Sequence, residues 1–199
     1  MSNARNIARL LANTSGSLEQ VSYPQLSGSV LTGSVAKNRL PPGSVLQVKN
    51  SIYQSYNSMT IDAGWYNIPS MNVTITPTAS NSFFRIDVRW FGEVVSAWDV
   101  VFGITRNGAL INMPSQEGSR NGSLAVPLQS YIDDNNDSTP EYVCFSTIDY
   151  PNTSANLTYQ FVTRAWSSRT LYNGRVFSGT TNWNYEQGSM EIIVTEIAG

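Results

Sequence analysis

Apolar and polar residues alternate in a series of short runs over most of the chain, and the N-terminal stretch is the part that lacks this order. Asn72-Val73-Thr74-Ile75-Thr76-Pro77 alternates strictly, with Val73 and Ile75 on one face, the polar residues on the other, and Pro77 ending the run. A period of two with one polar side predicts a half-buried strand. Over residues 82–95 the same alternation sets Phe84, Ile86, Val88 and Trp90 against Arg85, Asp87, Arg89 and Phe91. This predicts a long strand whose apolar face enters a core and whose mixed face meets water or another subunit. Val100, Phe102 and Ile104 share one side of residues 98–105, and Arg106-Asn107-Gly108 then leads into Ala109-Leu110-Ile111. Asn-Gly between apolar runs predicts a tight hairpin, because both turn positions need a positive φ that these residues tolerate. Further strands are predicted in the segment holding Val45, Gln47, Ile52 and Tyr53, around Leu124-Ala125-Val126, and over residues 142–148, 157–166 and 190–197. About eight strands separated by turn residues predict an all-β fold, an antiparallel β-sandwich of the jelly-roll kind.

Ahead of these strands, Ile7, Leu10 and Leu11 recur at helical spacing, with Arg5 and Arg9 off that face. A short amphipathic helix follows from the spacing, and a helix this short needs another surface to be stable. From Thr14 to Gly43, Gly and Ser separate single hydrophobes: Val21, Tyr23, Leu26, Val30, Leu31 and Val35 have no core of their own. Gly-Ser-Val recurs at residues 28, 33 and 43. The recurrence is either chance in a Gly/Ser-rich segment or an extended strand that orders in an oligomer. Pro41-Pro42-Gly43 punctuates the chain sharply. Residues 1–42 are therefore read as a helix and extended docking or oligomerisation arm, and 43–199 as the β-sandwich domain. The nine hydrophobes Ile7, Leu10, Leu11, Val21, Tyr23, Leu26, Val30, Leu31 and Val35 are its candidate assembly residues.

Charge narrows the range of partners. Charged residues are 13% of the 199 and the formal net charge is -2, so no basic footprint exists for nucleic acid or an anionic membrane. The polar remainder is dominated by Ser, Thr and Asn, which favour strands and turns over helices. No apolar run reaches signal-peptide or membrane-span length, so synthesis in a cytoplasm without export is expected. Asn-x-Ser/Thr triplets at Asn72, Asn121 and Asn156 then carry little meaning in so Asn-rich a chain. The single cysteine, Cys144, excludes an intrachain disulfide, and its place in Tyr142-Val143-Cys144-Phe145 predicts a buried small hydrophobe.

Histidine is absent, which removes Ser-His-Asp and Cys-His nucleophiles and His-dependent metal motifs. A glycosidase needs only two carboxylates. Asp87, Glu93, Asp99, Glu117 and Asp149 are available, but nothing singles out a pair. Asp133-Asp134-Asn135-Asn136-Asp137 has the oxygen density of a calcium loop, yet Ser138 replaces the glycine at the sixth position and Cys144 the Glu at the twelfth. No catalytic residue, metal site or cofactor is expected. Trp65, Tyr66, Trp90, Trp98, Trp166, Tyr172, Trp183 and Tyr185 are read first as core and subunit packing, and second as sugar-stacking platforms. Asn182, Trp183, Asn184 and Tyr185 combine rings and amides in one Gly-flanked loop and are the candidate glycan contacts.

Over residues 41–199 the chain resembles a family of tailed-bacteriophage virion proteins, common in marine and cyanobacterial phages, whose β-sandwich modules cap tail fibres or decorate capsids. The resemblance rests on Leu40-Pro41-Pro42-Gly43-Ser44-Val45-Leu46-Gln47-Val48, then Asn72-Val73-Thr74-Ile75-Thr76-Pro77 with Ser80-Asn81-Ser82. It continues through Phe102-Gly103-Ile104-Thr105-Arg106-Asn107-Gly108 and Ser119-Arg120 to Ser189-Met190-Glu191-Ile192-Ile193-Val194-Thr195-Glu196-Ile197-Ala198. It implies a non-enzymatic homotrimer on a virion, assembled in the host cytoplasm and anchored by its N-terminal arm. The implied partners are other proteins of the tail or capsid, with a host-surface glycan as a further ligand. It brings no catalytic residues. A free carbohydrate-binding module is the alternative reading of the same rings.

Overall fold

A computed structural model describes residues 40–94, 99–115, 117–119, 122–127, 139–178 and 185–199. Ten strands are present among them: β1 (Val45–Tyr53), β2 (Asn57–Ile61), β3 (Tyr66–Ile75), β4 (Phe83–Val94), β5 (Val101–Arg106), β6 (Ala109–Leu110), β7 (Glu141–Asp149), β8 (Leu157–Arg164), β9 (Arg169–Asn173) and β10 (Met190–Ile197). The fold is all-β. No helix occurs among the described residues, and the helix expected over residues 3–12 lies outside them.

The pairing has a nested order. β1 pairs with β10, β3 with β8, β4 with β7 and β5 with β6, all antiparallel, so the chain forms one long hairpin of paired strands. Contacts of β10 with β4 and of β8 with β5 roll that hairpin into two packed sheets, the jelly-roll arrangement. One sheet runs β1-β10-β4-β9-β2 with β7 on the other edge of β4; the second runs β3-β8-β5-β6. β2 pairs with β9 and completes the nested set between the β1–β10 and β3–β8 pairs.

Alternation builds the core as expected. Phe84, Ile86, Val88 and Trp90 of β4 face inward, and Phe102 lies 5.1 Å from the Trp90 ring and 5.2 Å from Phe161. The Trp90 indole N–H donates to Asn173 Oδ1 at 2.7 Å, which meets its polar need inside the core. Asn107 and Gly108 both have positive φ, 49° and 85°, as the predicted hairpin turn requires.

Four elements differ from expectation. The strand predicted from Asn72 begins earlier, at Tyr66, because a bulge hides its first half: Ser70 takes φ 59° and the register shifts between Asn67 and Asn72. Gln160 Nε2 fills that bulge by donating to the Ile68 and Met71 carbonyls at 2.9 and 3.1 Å. Leu124-Ala125-Val126 makes a lone bridge from Ala125 to Phe102 in place of a strand. β2 and β9, five residues each, are too short for their pattern to stand out in the sequence.

The open sides of the two sheets are joined by side chains. Gln47, Lys49 and Ser51 of β1 donate to the carbonyls of Thr76, Thr74 and Ser70 at 2.7, 3.2 and 2.7 Å. The β3 edge thus has partners that a bare edge strand would lack.

Candidate functional site

Successive side chains of a strand point to opposite faces, so the outer surface of the larger sheet can be read from its register. Three cross-strand rows run from β1 through β10 and β4 to β7. They are Val48-Thr195-Arg85-Ile148, Asn50-Ile193-Asp87-Ser146 and Ile52-Glu191-Arg89-Cys144. The middle of this face is charged. Arg85 Nη2 lies 2.9 Å from Asp87 Oδ1, Ser146 Oγ also donates to Asp87, and Arg89 Nη2 lies 3.5 Å from Glu191 Oε2. The flanks are apolar: Val48 and Ile52 on β1 are 57% and 52% exposed, Tyr142 and Ile148 on β7 43% and 36%.

Cys144 is exposed on the β7 flank, which corrects the expectation of a buried thiol. The run Tyr142-Val143-Cys144-Phe145 is apolar on both faces, so composition could not tell inside from outside. The register can: Val143 points inward, and Cys144 shares the outer side with Tyr142.

The outer face of the smaller sheet is polar without charge at its β3 side. Thr74 and Thr158 share a hydroxyl hydrogen bond at 2.9 Å, and Thr76 Oγ1 donates to Asn156 Oδ1. Trp65 packs on the same sheet against Gly103, where the lack of a side chain makes room for the ring.

A second feature lies beyond β9. Arg175 bridges to Gln187, Val176 N–H donates to the Glu186 carbonyl at 3.2 Å, and Gly188 packs against the Phe91 ring. The segments on either side of this bridge meet beside Phe91 of β4. The Arg175 guanidinium sits 4.8 Å from the Tyr172 ring centroid and 5.5 Å from that of Tyr56. Tyr172 meets Phe177 edge to face at 5.2 Å. Of the candidate glycan contacts, Tyr185 is half-buried two residues before Gln187, while Asn182, Trp183 and Asn184 lie outside the described residues. Ile7, Leu10, Leu11, Val21, Tyr23, Leu26, Val30, Leu31 and Val35 lie outside them too, as does the Asp133 to Asp137 loop.

Several of the acids considered from sequence are held in internal bonds. Asp87 is paired as above. Glu93 is buried and accepts from Thr139 Oγ1 at 2.6 Å and from Phe177 N–H at 2.5 Å. Asp149 accepts from Arg106 Nη1 at 2.7 and 2.8 Å and from the Tyr159 hydroxyl at 2.7 Å. The acid that sequence reading missed is Glu141. It is fully buried, Oε2 accepts from Val94 N–H at 2.8 Å, and Oε1 has no hydrogen-bond partner among the described residues. Burial pushes its carboxyl up to about 8, with the charge of Glu93 adding and the Val94 bond opposing. Among the described residues no three cysteine or acidic side chains converge as metal ligands.

The class that this architecture defines is the jelly-roll β-sandwich, with a charged, apolar-flanked outer face on its larger sheet. No protein-family model matches the chain, and no curated protein matches it.

Proposed function

We propose that this chain is a non-enzymatic structural protein of a tailed-phage particle. In this reading it is a trimeric surface component, either a short tail fibre or a capsid decoration or head fibre, and residues 1–42 anchor it to other proteins of the tail or capsid. Jelly rolls serve capsids and lectins alike, so the fold by itself does not choose. The observation that carries the reading is the outer face of the larger sheet, where Val48, Ile52, Tyr142 and Ile148 stand in water on a single copy. Exposed apolar groups gathered on one face mark a surface built to be covered. The phage-like phrases over residues 41–199 and the hydrophobes scattered through the arm point the same way.

The carbohydrate-binding reading draws on a different feature, the rings of Tyr56 and Tyr172 beside Arg175 and of Phe177 against Tyr172. Glycan binding there is compatible with a virion protein and also with a free binding module.

Solution mass separates the two. Light scattering on a sizing column is expected to give the mass of three 21.9 kDa chains for the full protein. A version starting at Pro42 keeps every strand and the core, and is expected to associate more weakly. Single-chain mass for both would overturn the virion reading and favour the glycan-binding module.

A further inference from the structure

We infer that copies of this chain join through the outer face of the larger sheet, the β1 flank of one copy packing on the β7 flank of the next until the contacts close a ring. The inference rests on the oligomeric reading above and adds which surface the copies share.

The occupant follows from the charges. Arg85 and Arg89 are balanced by Asp87 and Glu191 across the middle of the face. A face whose charges cancel gives no advantage to an acidic or a basic partner, whereas a second copy presents the same balance. The mode of contact follows from where the apolar groups sit. Face-to-face packing about a two-fold axis would dehydrate both ion pairs without adding a partner to either, which is costly. Flank-to-flank packing covers the exposed Val48 and Ile52 with the Tyr142 and Ile148 of a neighbour and leaves the charged middle hydrated. The two flanks carry different residues, so the contact is heterologous, and a closed ring leaves no flank open.

The native thiol makes this testable. Cys144 is the chain's one cysteine and stands exposed on the β7 flank. Ile52 lies in the same cross-strand row, three strand spacings away. That separation is ~14 Å at about 4.8 Å per strand. A disulfide needs Cα atoms within about 7 Å, so a bond from position 52 to Cys144 must join two chains.

Mild oxidation of the full-length Ile52→Cys chain is expected to give covalent dimers and trimers on a non-reducing gel. Thr74→Cys, on the outer face of the smaller sheet, is expected to remain single chains, as is the unaltered protein. The unaltered protein also provides a check free of any substitution, since alkylation of Cys144 should slow as concentration is raised through the association range. If the full chain has trimer mass while Ile52→Cys does not cross-link and Cys144 alkylates at a constant rate, the face is wrong and the oligomeric reading stands. Single-chain mass at every concentration removes both. Covalent dimers of the unaltered chain through Cys144 would replace the ring with a two-fold contact and overturn the inference.

Discussion

β7 begins and ends with a buried carboxylate, Glu141 and Asp149, and the two are held in opposite ways. Both side chains point to the inner side of the same strand, eight positions apart. Asp149 meets a guanidinium and a phenol, Arg106 and Tyr159, supplied by β5 and β8. Glu141 meets one backbone N–H and has an oxygen with no donor among the described residues, so burial leaves a proton as its means of avoiding a bare charge. Burial alone therefore does not determine what a carboxylate does; the partners within reach decide whether the fold depends on an ion pair or on protonation.

Arg106→Ala breaks the first arrangement most directly. It strands the Asp149 charge in a site that is 7% exposed at the side chain, and removing one partner of a buried pair costs several kcal/mol. Since Arg106 itself is 32% exposed, the expected loss is about 3 kcal/mol, read as a fall in the urea midpoint with unchanged slope. Adding Asp149→Asn to Arg106→Ala should recover part of it, because no uncompensated charge then remains. A double variant as unstable as the single one would show that arginine packing, not charge, was the contribution.

Glu141 gives an effect whose size is set by pH, and its sign is unusual for an acid. The folded chain holds the proton up to about pH 8, whereas the unfolded chain releases it near 4.5. Between those values the folded state binds the extra proton. The stabilisation is therefore complete below about 4.5 and is lost as pH rises through 8. Glu141→Gln keeps the shape and removes the titration. Its stability should gain on the parent by about 1.4 kcal/mol per pH unit across that window, as measured by urea unfolding at several pH values. Parallel curves for parent and variant would mean that Glu141 is charged when folded and finds a partner that the present contacts lack.

Little of this contrast could be read from the sequence, although the strands around it could. β4, β8 and β10 were legible because strict alternation is imposed by a buried face and a wet one. β3 was half legible, since Ser70 at positive φ puts two registers into one strand. The flat apolar run around Cys144 misled because both sides of β7 carry apolar groups there. Arg106 and Asp149 stand 43 residues apart and Trp90 and Asn173 stand 83 apart, and no local spacing announces either bond. The aromatic group around Arg175 was named only through Tyr172. Tyr56 and Phe177 enter it through the β2–β9 pairing and the hairpin beyond, which are tertiary facts.

The smallest effect concerns the second partner of Asp149. Alternation of Leu157, Tyr159 and Phe161 places Tyr159 in the core, but a phenylalanine would satisfy that pattern equally well. What the hydroxyl adds is a bond to Asp149 Oδ2, and the buried phenol is held protonated well above its ordinary range by burial and by that bond. Tyr159→Phe keeps the ring contact with Phe84 and leaves the carboxylate its arginine. The expected cost is about 1 kcal/mol, a melting temperature lower by roughly 2–4 °C in a domain of this size. Combined with Arg106→Ala the loss should exceed the sum of the two single losses, because Asp149 would then keep neither side-chain donor. Additive losses would show instead that water reaches Asp149 once the arginine is gone, and that the contrast between the two ends of β7 is one of access to solvent.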